Sequence, residues 1–361
     1  MDRIEKYEFD EEFILRLKKY IASEHFLDIP KTSKSDYWLD NSSFSDIKFD
    51  GNIVSVTGKS GFYIPPRKSL ARYINILSTG ITNPANFFKK IKTKLGLEKK
   101  KIQMMTHFEA FDFLMSSKAH PSPYWMNFEK ISSKNKSSKS IEDLKKFAQK
   151  IGKYRLNTFT ILANYYFNIL NCYMPLENVQ SAIEIGAGNG NLLALFFQKL
   201  NNVQLIDIDL PETLAIASVF LADLFPNAKI LLPNEVESAN FSNFDFVFLT
   251  PNQINLLPDN YVDLCINTDS FQEMTHEQID DYFKLAKRVV KNNGYFFTRN
   301  RVDKVPWGTN SFLRDSSGPP PNIFSEYPWD DNNKIILHES CKLKQLVSTT
   351  NSMIRLEKVI K

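Results

Sequence analysis

The apolar pattern of this chain changes period near residue 180. Upstream, most runs have helical spacing. Residues 10 to 24 read as an amphipathic helix, a run opening at Gln103-Met104-Met105 continues through Leu114, and helices are expected over 141 to 152 and 155 to 173. Residues 47 to 57 depart from this as a short hairpin turning at Asp50-Gly51. From 181 onward short apolar runs alternate with helical ones. Strands are predicted at 181 to 185, 203 to 208, 244 to 249, 262 to 267, 294 to 299, 334 to 339 and 353 to 360, with helices near 190 to 200, 211 to 224 and 276 to 291. Residues 229 to 236 read as an eighth, inserted strand. Such alternation predicts a parallel, doubly wound α/β sheet.

Between the two regimes lies Ser-Ser-Lys-Asn-Lys-Ser-Ser-Lys-Ser at 132 to 140, too polar to pack and expected to be a linker. It divides the chain into a mainly helical N-terminal domain with a short hairpin, 1–140, and an α/β domain, 141–361, whose two leading helices are expected to cover the ligand. Pro121-Ser-Pro-Tyr-Trp125 reads as an aromatic turn. Gly58-Lys59-Ser60 resembles the end of a phosphate-binding loop, but Ile53 stands where its first glycine is required.

Composition narrows the class. With 361 residues, 43% of them hydrophobic, a sizeable core is available. The start is charged and no run approaches the ~18 apolar residues of a membrane span, so a cytoplasmic protein is expected. Cys172, Cys265 and Cys341 are far apart and form no C-x-x-C pair, which excludes a disulfide framework and a zinc site of that type. A net charge of +4 is too small to point to nucleic acid. Lys89, Lys90, Lys92, Lys94, Lys99, Lys100 and Lys101 cluster around Phe88, Ile91 and Leu95. That stretch reads as a solvated face, as a dock for anionic lipid, or as a dock for a phosphate-bearing substrate.

The sharpest chemistry sits at Ile183-Glu184-Ile-Gly186-Ala-Gly188-Asn-Gly190, followed by Leu205-Ile-Asp-Ile-Asp209-Leu210-Pro211. Glycines delivered from a strand into a helix let the backbone approach a ligand closely. Asp209 ends the next strand roughly 20 positions on, where a carboxylate can accept both hydroxyls of a ribose. A dinucleotide fingerprint needs a third glycine that neither register supplies, since Asn191 or Leu193 stands there. What remains, E-x-G-x-G-x-G, resembles the first motif of class I S-adenosylmethionine-dependent methyltransferases, and Asp209-Leu210-Pro211 resembles the D-L-P segment of their small-molecule O-methylating members. The resemblance implies a seven-stranded Rossmann-like methyltransferase sheet and S-adenosylmethionine held by Glu184, Gly186, Gly188, Gly190, Asp209 and Leu210. Asp269 lies on the same cofactor edge. The third strand ends in Asn252-Gln253 rather than in an acid, and either amide could meet the adenine edge.

Methyl transfer from a sulfonium requires acceptor, methyl and sulfur in line, and removal of the hydroxyl proton. The fourth strand ends in the densest polar run, Asn267-Thr-Asp269-Ser-Phe-Gln272-Glu273-Met274-Thr-His276. Glu273, between apolar Phe271 and Met274, is the first candidate proton acceptor, because desolvation would raise its pKa. His276 is the second. Its plain alternative is the first turn of a helix, capped by Thr275 with Gln278. Asp207, Asp269 and Glu273 could supply oxygen ligands to a divalent ion, but no complete ligand set is legible and the metal is left unknown. The fifth strand ends Thr-Arg299-Asn300-Arg301. Asn300 and Arg301 could orient sugar hydroxyls or a phosphate, and a surface ion pair is the alternative for Arg301. The following loop, 302 to 333, carries Trp307, Tyr327 and Trp329, suited either to stacking on sugar rings or to core packing.

Phenolic O-methyltransferases commonly place a histidine base just after the fourth strand; Gln272 stands there in this chain. S-F-Q-E-M after that strand and T-R-N-R on the fifth resemble instead a group of bacterial sugar O-methyltransferases of surface-glycan biosynthesis. That resemblance spans roughly 150 to 361 and, upstream, Tyr37-Trp38 and Tyr124-Trp125. It implies a sugar or glycan acceptor, with Gln272, Asn300 and Arg301 at the acceptor. A phenol or polyketide acceptor, or a nucleoside-binding module without turnover, are the competing readings.

Overall fold

The computed structural model describes residues 4–27, 45–58, 158–304, 320–341 and 352–361. Contacts divide the chain into two compact units. One comprises Met1–Tyr63, Tyr173–Cys341 and Asn351–Lys361; the other comprises Ile64–Cys172 and Lys342–Thr350.

The first unit opens with β1 (Ile4–Glu8), α1 (Glu11–Ile21), α2 (Glu24–Leu27), β2 (Ser45–Asp50) and β3 (Ile53–Gly58). The hairpin expected at 47 to 57 is present as β2 and β3. Gly51 takes a left-handed φ of 58° at its turn, which is why glycine stands there. Beyond that expectation, β1 pairs with β3 and completes a three-stranded antiparallel sheet. α1 begins where Asp10 accepts a hydrogen bond from Phe13 N at 2.7 Å, and it buries Phe13, Ile14, Leu17 and Tyr20 on one face. The described part of the region expected to be mainly helical is therefore a small sheet with two helices, and it belongs to the same unit as the large sheet. The linker at 132 to 140, the lysine cluster Lys89–Lys101, the helices expected at 103 to 114 and 141 to 152, the aromatic turn, Tyr37-Trp38 and Trp307 lie outside the described residues. In the second unit, the helix expected at 155 to 173 forms as α3 (Thr158–Tyr173).

The large sheet is built from β4 (Ser181–Ile185), β5 (Gln204–Ile208), β6 (Ile230–Leu231), β7 (Phe246–Leu249), β8 (Val262–Thr268), β9 (Val290–Arg301), β12 (Lys334–Ser340) and β13 (Ser352–Lys358). Their order is β12-β13-β9-β8-β4-β5-β7-β6, eight strands rather than seven. The extra strand is the one read at 229 to 236. It is only two residues long because Pro233 removes a ladder donor and opens a 3-10 turn, Pro233–Ser238. All neighbours from β9 to β6 are parallel, while β13 runs antiparallel to both β9 and β12. β9 starts earlier than expected. Val290 pairs with Val262, then the register slips, with Asn293 at φ 66°.

β4 is buried at every position, as a central parallel strand covered on both faces requires. Its chain continues to β5 on one side, while β8 flanks the other. This is the switch point at which open α/β sheets bind ligands beyond their carboxyl ends. The crossovers are α4 (Asn191–Lys199), α5 (Pro211–Leu224) and α6 (His276–Val289).

After β9, β10 (Asp303–Lys304) pairs with β11 (Asn322–Ile323). Of Tyr327 and Trp329, expected either to stack on a ligand or to pack, Tyr327 belongs to the core and Trp329 is partly buried against it. Tyr327 stands edge-on to Phe271 at 6.0 Å, and Trp329 to Phe283 at 5.1 Å. Arg355 lies 4.2 Å over the Trp329 ring. Among the described residues no helix is long and apolar enough to cross a membrane.

Candidate active site

The glycine turn joins β4 to α4 through three left-handed residues, Gly186 (φ 74°), Gly188 (φ 62°) and Gly190 (φ 75°). At Gly186 conformation and space agree, since a Cβ would overlap the side chain of Ser270. At Gly188, among the described residues, no atom beyond its chain neighbours lies within 4 Å of the place a Cβ would take, which leaves room for a ligand to approach the backbone. Asp209 braces the turn. Its Oδ2 accepts from Gly188 N at 2.9 Å and its Oδ1 from Leu210 N at 2.7 Å. Leu210 is the N-cap of α5, with Pro211 at the first helical position, where no amide donor is needed.

Glu184 and Asp207 are register partners on β4 and β5, so they project from the same face. Burial pushes the Glu184 carboxyl up to about 8, against a hydrogen bond from Thr268 at 3.3 Å. Burial, then the charges of Asp209 and Glu184, raises Asp207 well above the usual carboxylate range. The nearby Ala187 amide opposes that shift, although among the described residues neither Asp207 oxygen has a partner at full hydrogen-bond geometry. Asp209 is pushed up to about 7, mainly by burial, against the amides of Leu210 and Gly188. Three acids thus share one edge, and a positively charged ligand would relieve them.

On the other side of β4, a network of side-chain amides shapes the turn after β8. Asn267 donates to Ile185 O at 2.9 Å and accepts from Asn300 Nδ2 at 2.9 Å; Asn300 Oδ1 accepts from Gln272 N at 3.2 Å, and Gln272 Oε1 from Arg301 N at 2.8 Å. Asn300 and Gln272, expected at the acceptor, are buried within this network. Their neighbours carry the charge. Glu273 Oε1 accepts from Lys304 Nζ at 2.6 Å, with side-chain exposures of 16% and 7%. Burial lowers the Lys304 pKa, opposed by the charge and hydrogen bond of Glu273. Asp269, at a left-handed φ of 64°, pairs with buried Arg299. Arg301 is half-buried at the end of β9. His276 is exposed as the first residue of α6, where Thr275 and Gln278 form the expected capping box.

Residues 183–298 match the family model described as a methyltransferase domain. That segment is a methyltransferase domain. Among solved structures, the PH0226 protein from Pyrococcus horikoshii OT3 is 14% identical at a TM-score of 0.38, covering 56% of this chain and 92% of its own. Geranyl diphosphate C-methyltransferase from Streptomyces coelicolor A3(2) is 9% identical at a TM-score of 0.38, covering 56% and 79%. No curated protein matches the chain.

The residues of the methyltransferase fit S-adenosylmethionine. Its positive charge suits the acid edge, Gly188 leaves room for it, and the Asp209 carboxyl stands beside the turn for ribose hydroxyls. On the adenine side, Gln253 is buried and its carboxamide is occupied. Its Oε1 accepts from Thr250 N at 3.0 Å, and its Nε2 donates to Pro233 O at 2.8 Å. Asn252 is exposed beside it. Among the described residues no group of three or more His, Cys, Asp or Glu could hold a metal ion. Asp207, Asp269 and Glu273, considered as ligands from sequence, are not brought together. Asp207 is buried below the turn, while the other two each hold a cation of the chain. Sequence reasoning missed Lys304, and it read Arg299, Asn267 and Ser270 only as parts of the two strand-end segments, without the ion pair and the amide network that depend on partners about 30 residues away.

Proposed function

We propose that this methyltransferase methylates a sugar hydroxyl, on a nucleotide-linked sugar or within a growing surface glycan. The observation that carries this reading is the meeting of the two segments singled out by resemblance. Gln272 is bonded to both Asn300 and Arg301, which ties the turn that carries Glu273 to the end of β9 that carries Arg301. When bound, S-adenosylmethionine supplies a methyl group on a sulfonium centre. Glu273 then takes the hydroxyl proton, and Lys304 holds its carboxylate in place. Arg301 presents several donors to neighbouring hydroxyls or a phosphate. Gln272, where a phenolic enzyme would carry its base, has its carbonyl bound to Arg301 N and cannot take that role.

The test is transfer of labelled methyl from S-adenosylmethionine to nucleotide sugars, glycan extracts, phenols and RNA, with and without a chelator. Label in a sugar fraction is expected. Label confined to phenols or RNA overturns the acceptor class, and bound cofactor with no transfer anywhere favours a binding module.

A further inference from the structure

Three turns lie beyond the carboxyl ends of neighbouring strands, on the side where Asp209 and Asn252-Gln253 are expected to meet the adenosine of the cofactor. They are the turn opening at Pro211 after β5, Pro233–Ser238 after β6, and Pro251–Leu256 after β7. A short N-terminal segment reaches all three, each with a different side chain. Tyr20 Oη donates to Pro211 O at 3.1 Å, with both residues buried, two positions past Asp209. Arg16 Nε and Nη2 hold Glu235 Oε1 and Oε2 at 2.7 and 2.8 Å, a two-point contact, and Nη2 also donates to Ile230 O. Gln253 Nε2 lies 3.2 Å from His25 Nδ1 and bonds Pro233 O, which ties the second and third turns to each other and to α2. Glu235 Oε2 also accepts from Leu232 N at 2.9 Å, so the Arg16 contact bears directly on the end of β6.

We propose that residues 11–27 are a clamp for the cofactor site, with Arg16, Tyr20 and His25 as positioning residues that fix the three turns around the adenosine. None of the three touches the reacting atoms; each acts through a turn. The Tyr20 donor is maintained across the working pH range, because burial above all, followed by Glu212, Asp207 and Asp209, pushes its phenol up. The clamp is independent of the acceptor class, since its contacts lie on the β5-to-β6 side of the sheet, away from Glu273.

The experiment measures binding of S-adenosylhomocysteine and of methylthioadenosine, which lacks the amino-acid half, to the full chain by calorimetry. The proteins compared are wild type, Tyr20→Phe, Arg16→Met, Arg16→Lys and His25→Gln. Loss of one contact should weaken both ligands by about 5- to 30-fold and in equal proportion, because the adenosine is common to both. Arg16→Lys should recover part of the loss. Leu17→Ala, which loosens α1 packing without removing a clamp contact, is expected to lower Tm with little change in either affinity. Affinities within about twofold of wild type for all the contact variants would overturn the proposal. So would a loss seen only with S-adenosylhomocysteine, or a loss in Leu17→Ala as large as in Tyr20→Phe. His25→Gln, at a partly exposed position, keeps the test decisive if Tyr20→Phe does not fold.

Discussion

Two acid-bearing regions flank β4, and they are built differently. On the β5 side, Glu184 of β4 and Asp207 of β5 are buried; among the described residues, one oxygen of the first and both oxygens of the second have no partner at full hydrogen-bond geometry. On the β8 side, Asp269 is held by Arg299 and Glu273 by Lys304. Acids left without a cation of their own are raised toward neutrality and are relieved only by charge that a ligand brings. Acids already paired are fixed in orientation before any ligand arrives. The first region is therefore suited to binding a cationic cofactor, and the second to presenting a preorganised carboxylate to an acceptor.

The largest effect expected from breaking this comparison is on the paired side. Glu273→Gln keeps the shape but removes the proton acceptor. It should lower kcat/KM for methyl transfer by about 10²- to 10⁴-fold, while affinity for S-adenosylhomocysteine, measured by calorimetry, stays within a factor of about three. Unchanged turnover would remove Glu273 from the mechanism. On the unpaired side the expectation reverses. Asp209→Ala removes a carboxylate that can accept two ribose hydroxyls, and should weaken cofactor binding by about 10- to 100-fold at charged hydrogen-bond strengths. An undiminished affinity would refute the ribose assignment.

The two regions were not equally legible in sequence. The glycine turn and Asp209 could be read because their chemistry is local: one strand, one turn and the end of the next strand, at a spacing set by a single crossover. The strands from 181 onward could be read for the same reason, since central parallel strands are continuous apolar runs. The paired region depends on side chains that meet only through the fold. Lys304 belongs to a two-residue strand whose partner is Asn322, and Arg299 lies under Asp269 because β9 runs beside β8. No periodicity predicts such pairings. The N-terminal contacts were hidden likewise. Residues 10 to 24 could be read as an amphipathic helix, but nothing in their spacing says that Arg16 would find Glu235.

Gly186 and Ser270 are where the two regions interlock, and the next effect is on stability. Gly186→Ala combines a left-handed φ with overlap of the Ser270 side chain. It should cost about 1–3 kcal/mol in denaturant unfolding. Gly186→Ala with Ser270→Gly should recover the steric part and leave roughly 1 kcal/mol for the backbone. No recovery in the double variant would show that Ser270 yields freely and that only the dihedral matters.

The smallest effect is a slope with pH. Glu184 and Asp209 titrate near 8 and 7 in the folded chain, and in the unfolded chain at about 4. Between those limits the folded state binds more protons than the unfolded one. Stability must therefore fall as pH rises from about 4.5 to 8, with no such loss below the unfolded values. Asp263 shifts the opposite way. Burial would raise it, but Lys291 and the amides of Gln180 and Ser181 lower it overall, so its contribution is lost only in stronger acid, outside this window. Thermal unfolding of the cofactor-free protein should accordingly show Tm declining by a few degrees across that range, and Glu184→Gln should flatten the decline. Because S-adenosylmethionine brings positive charge to the same edge, it should bind more tightly as pH rises through 7 and 8. It should also release protons, seen as a calorimetric heat that varies with the ionisation enthalpy of the buffer. A cofactor affinity independent of pH, with no buffer-dependent heat, would mean that the three acids are not the groups that meet the ligand's charge, and the contrast between the two sides of β4 would then be one of packing alone.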